Sequence, residues 1–80
     1  MSKFEQLLKR TDLTHEELSH VINDVMQRVL REQEITIVRM ILGIGCYPNT
    51  AEEIENIIGY EKEEVMKIFN KAMAKLEDSL

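Results

Sequence analysis

Residues 50–76 read TAEEIENIIGYEKEEVMKIFNKAMAKL. Thr50 to Glu53 form a capping box, in which the threonine hydroxyl accepts an early backbone N–H and Glu53 reaches back to another. Ile54, Ile57 and Ile58 follow, and they predict the inward face of a short helix. Gly59 fits the left-handed position that ends a helix. Beyond it Val65, Ile68, Phe69, Ala72, Met73 and Leu76 fall on one stripe at helical spacing. A short capped helix, a tight turn and a longer helix make a helix-turn-helix arrangement. Its first helix braces a second whose outer face can enter a major groove. A plain helical bundle shows the same spacing, and the pattern alone leaves both open.

Working upstream, Gly43, Gly45, Pro48 and Asn49 mark a loop near 43–49. Before it, residues 32–42 predict a helix with Ile35, Val38, Ile41 and Leu42 on one face. Ile37 and Met40 fall on other faces, so this helix is apolar nearly all round. It reads either as a central core helix or as a surface for a partner. Leu18, Val21, Ile22, Val25, Met26 and Val29 form another stripe, opened by a second capping box at Thr14 and Glu17. Phe4, Leu7 and Leu8 give a short amphipathic segment ending near Thr11 and Asp12. No stretch alternates with period two. The expected class is all-α, with four or five helices in one domain over 1–80, the N-terminal helices occupying 1–29.

The chain has 80 residues, a net charge of −5 and 44% hydrophobic residues. A chain of this size buries only about 60% of its unfolded surface, so its core has little margin. No apolar run approaches the roughly 20 residues of a membrane span, and the start lacks the apolar stretch of a secretory signal. The lone Cys46 excludes an internal disulfide and suits a reducing cytoplasm. Few aromatic residues leave little stacking surface for single strands. His15 and His20 do not share a helix face, and His20 with Asp24 reads as a surface pair. No metal site, cofactor or nucleophile–base pairing is expected, and catalysis is not.

The residues from Leu30 onward resemble a known family. Leu30-Arg31-Glu32-Gln33-Glu34, followed by an apolar helix with Arg39-Met40 and Gly43, resembles the opening of region 4 of bacterial primary sigma factors. Thr50-Ala51-Glu52-Glu53-Ile54 is similar to that family's opening of its first motif helix. Lys71-Ala72-Met73-Ala74-Lys75-Leu76 is similar to the end of its recognition helix. The likeness spans about residues 30–76, and LuxR-type regulators share a looser version. It implies a transcription regulator that binds promoter DNA through the recognition helix and seats, through an apolar groove of its own, on the flap of the RNA polymerase β subunit. No cofactor is implied.

Carried over position by position, the candidate DNA contacts are Thr50, Lys62, Glu63, Lys67, Lys71 and Lys75. Lys62 keeps a charge where the family has arginine but loses the two-pronged guanidinium suited to guanine. Glu64 and Met66 stand where the family has cations, and Gln33 and Ile41 replace arginines near phosphates. Residues 46–80 hold four lysines against eight carboxylates, so they carry −4 of the whole charge of −5. Unaided DNA binding is therefore expected to be weak. Apolar residues are plentiful, and Ile37, Met40, Ile41 and Ile44 are the candidate contacts to polymerase, another transcription protein or a second copy. The rival reading is an interaction module that has lost DNA binding.

Two departures bear on the scaffold. Glu55 stands where the family has Gly or Ala at a close helix approach, and its carboxylate must tilt outward or spread the helices. Arg31 replaces a capping threonine, which predicts that the helix over 15–29 can run on into that over 32–42.

Overall fold

Threonine caps set two of the helix starts in the computed structural model, which describes residues 3–80. Five helices are present: α1 (Lys3–Leu8), α2 (His15–Val29), α3 (Glu32–Leu42), α4 (Ala51–Ile58) and α5 (Lys62–Ser79). There are no strands among the described residues, and the class is all-α. Thr14 Oγ1 accepts the Glu17 N–H at 3.1 Å, and the Glu17 carboxylate accepts the Thr14 N–H at 3.1 Å. Thr50 and Glu53 repeat the exchange at 3.2 and 3.1 Å. These bonds from the threonine N–H hold both glutamate carboxyls below their ordinary pKa.

The helices over 15–29 and 32–42 are separate, and the run-on that the missing threonine cap would allow does not occur. Leu30 and Arg31 are both extended, with ψ of 152° and 161°. Two causes enforce the break. Leu30 turns its side chain into the core, where it is 8% exposed. Glu34 supplies half a capping box without a threonine, its carboxylate accepting the Arg31 N–H at 2.9 Å.

At the far end of α3, Gly43 adopts φ +72° and its N–H donates to the Arg39 carbonyl. The loop then folds back, Asn49 donating to the Met40 carbonyl at 2.7 Å. Pro48 lies so close that a Cβ on Gly43 would stand 2.7 Å from its Cγ. Gly59 ends α4 in the same left-handed conformation, φ +79°.

α5 packs against each of the other four helices. The core divides into two clusters around it. Phe4, Ile22, Met26, Leu30, Val38, Ala72 and Leu76 form the first, and Ile37, Ile54 and Val65 the second. Adjacent residues of α3 serve different clusters, Val38 one and Ile37 the other, while Phe69 borders both. This explains why residues 32–42 are apolar nearly all round: the helix is covered on two sides. Phe4 is fully buried and anchors the six-residue α1. The Lys3 N–H adds a bond to the Glu77 carboxylate at 2.8 Å.

Two apolar positions depart from their expected faces. Val21 is 37% exposed and Ile57 61% exposed. In the eight-residue α4, Ile54 and Ile58 lie one turn apart and take the inward line, which leaves Ile57 about 100° away from Ile58.

Candidate nucleic-acid and protein interface

Gly59, Tyr60 and Glu61 join α4 to α5, and three side-chain contacts hold this turn. The Glu55 carboxylate accepts the Lys62 N–H at 2.7 Å, satisfying a free amide at the start of α5. Glu61, the residue at the cap position, makes no such bond with its own side chain. Glu55 thus tilts outward and acts as a cap donated by the preceding helix. The Lys62 ammonium lies 3.6 Å from Glu52. From α3, the Gln33 amide donates to the Tyr60 hydroxyl at 2.6 Å. Gln33 occupies a position where an arginine was expected for phosphate, and here it ties α3 to the turn.

The six candidate DNA contacts divide into engaged and open groups. Thr50 spends its hydroxyl on the cap of α4, and Lys62 is engaged with Glu52. Lys75 is not an open phosphate contact. Its ammonium sits 3.0 Å from both oxygens of Glu34, whose side chain is 8% exposed. An ammonium holding a buried carboxylate is bound into the scaffold, because moving it would leave an uncompensated charge behind. Burial pushes the Glu34 carboxyl upward, but the Arg31 N–H and the Lys75 ammonium together outweigh it, and the net shift is downward. Glu63, Lys67 and Lys71 are exposed on the outer surface of α5. Among the described residues, neither Lys67 nor Lys71 makes an ion pair. Glu63 and Glu64, four and three residues before Lys67 on the same helix, are exposed and dilute its positive field.

The expected protein contacts fare differently. Ile37 is fully buried in the second cluster and is core, not a docking residue. Met40 and Ile41 pack against that same cluster, and Ile44 against the first, all partly buried. The large apolar side chains that do face solvent are others: Ile57, Tyr60 and Met66 on the α4–α5 unit, Leu80 at its end, Val21 on α2, and Tyr47, 91% exposed, in the loop before α4. Met66 was legible as a residue off the α5 stripe. Ile57 was legible only by noticing that Ile54 and Ile58 already complete the inward line.

Elsewhere, Asp24 pairs with Arg28 at 2.6 Å and not with His20. The exposed Cys46 thiol donates to the Arg39 carbonyl at 3.6 Å. No helix among the described residues is long and apolar enough to cross a membrane. Comparison of the chain with protein-family models, with curated proteins and with solved structures finds no match to any of the three.

Proposed function

We propose that this chain is a transcription regulator whose α4–α5 unit works as a helix-turn-helix similar to sigma region 4, engaging promoter DNA, RNA polymerase or both. The observation that carries this reading is the build of the unit. It has a threonine-capped short helix, a left-handed glycine, and a long helix whose first half turns Lys62, Glu63 and Lys67 outward. The sequence likeness over residues 30–76 supports it, and a cytoplasmic setting goes with the free thiol.

A second reading has its own support. Lys75 is engaged internally and the exposed Lys62 lies beside the Glu52 carboxylate, while Ile57, Tyr60 and Met66 are exposed. These favour a helical interaction module that binds polymerase, a sigma factor or its own copy without reading DNA.

Salt-dependent binding to a promoter duplex, beside a pulldown with bacterial core polymerase, separates the two. With Lys67 and Lys71 as the open cations, the slope of log K against log salt should be about −2. Lys67→Glu should reduce that slope by about 1 and leave polymerase capture intact. Unchanged DNA affinity in this variant would remove α5 as the DNA-reading helix.

A further inference from the structure

The first turn of α3 and the middle of α5 enclose a cleft of about 190 Å³, lined by Arg31, Gln33, Glu34, Ile68, Lys71 and Lys75. In a chain of net charge −5, this cleft gathers three cations against one carboxylate. The Lys75 ammonium and the Glu34 carboxylate neutralise each other through two 3.0 Å contacts. Arg31 and Lys71 are exposed, and neither side chain makes an ion pair with any described residue. The field of Arg31 reaches into the cleft far enough to help keep Glu34 ionised. Two cationic groups are left lining one pocket, a planar guanidinium fork and an ammonium with three donors. The positive end of the α3 dipole adds to the same sign.

We propose that this cleft binds a phosphate group carrying two charges, either inorganic phosphate or the terminal phosphate of a nucleotide. Two unbalanced cations match a phosphate monoester near −2, whereas a carboxylate or a backbone diester balances only one of them. The guanidinium fork takes two phosphate oxygens and the Lys71 ammonium a third. The Glu34–Lys75 pair forms the neutral floor that keeps the carboxylate from repelling the ligand. This inference does not rest on the transcription reading, because the cleft lies between the start of α3 and α5 and requires no DNA.

The test is an amide chemical-shift titration of the full chain with inorganic phosphate, with a nucleoside monophosphate and with a hydroxyl-ended DNA duplex. Sodium chloride of matched ionic strength is the control. Saturable shifts centred on Arg31, Gln33 and Lys71, with a Kd on the order of 1 mM, are expected for phosphate. Tighter binding of the nucleotide would assign the terminal phosphate, and equal binding the free ion. Arg31→Gln and Lys71→Gln, both at exposed side chains, should each weaken binding about fivefold, while Lys67→Gln leaves it unchanged. The proposal is overturned if chloride produces the same shifts, if the three variants behave alike, or if the duplex occupies the cleft and phosphate does not. Circular dichroism of the variants guards against misfolding, and the Lys67→Gln comparison supplies the second readout.

Discussion

Glu34 and Lys75 show how one residue's role depends on a partner that local sequence does not announce. Glu34 caps α3 through the Arg31 N–H, and Lys75, 41 residues away, keeps its buried carboxylate ionised. Replacing the ammonium by a similar apolar chain, Lys75→Met, should cost about 2 kcal/mol near pH 7, since it strands a buried charge. The pH dependence has a definite sign. The Glu34 carboxyl is lowered in the folded chain, so its stabilisation is complete above the ordinary glutamate value of about 4.3. It is lost as pH falls through the lowered folded value. The deficit of Lys75→Met should therefore be largest near neutrality and shrink in acid. Urea denaturation at a series of pH values measures it, and a deficit that grows in acid would contradict the pairing. Lys75 could be read from the chain as a surface cation, and nothing within its own helix revealed otherwise.

At the scale of elements, the helices were largely legible because their signals are local. The threonine caps, the stripe of α5 and the glycine stops all act within a few residues. The bounds of α2 and α3 were legible too, but whether the two run together was not, because Arg31 is no capping residue and the support that Lys75 gives to Glu34 comes from α5. The face of Ile57 was misread for a related reason. Three isoleucines suit an inward face by composition, while the eight-residue α4 buries only Ile54 fully. Glu55 gives the sharpest test of the turn. Glu55→Ala restores the kind of small residue the resemblance expects, yet here it removes the acceptor of the Lys62 N–H. It should destabilise the chain by about 1 kcal/mol and speed amide exchange at the start of α5. The glycine stops should also differ. Gly59→Ala meets no atom within 4 Å and should cost about 1 kcal/mol from its positive φ alone. Gly43→Ala adds a collision with Pro48 at 2.7 Å and should cost clearly more. Thermal melts of the two variants give the order.

For the molecule as a whole, the central place of α5 sets what its surface can do. The helix serves both core clusters, so only its outer face, mostly in the first half, is left for a partner. That face carries few open cations and several carboxylates, which limits DNA affinity whatever the motif. The acid excess of residues 46–80 was visible in the sequence, but the pairing of Lys62 with Glu52 and of Lys75 with Glu34 was not. The apolar excess was visible too, and the fold spends much of it internally: Ile37 is core, while Ile57, Tyr60 and Met66 leave apolar surface exposed on the α4–α5 unit. The decisive measurement is an NMR footprint of the full labelled chain, titrated separately with bacterial core RNA polymerase and with a promoter duplex. Line broadening centred on Ile57, Tyr60, Glu63, Met66 and Lys67 is the predicted result with at least one of them. Broadening confined to α1 and α2, or none with either partner, would contradict a transcription role for the α4–α5 unit.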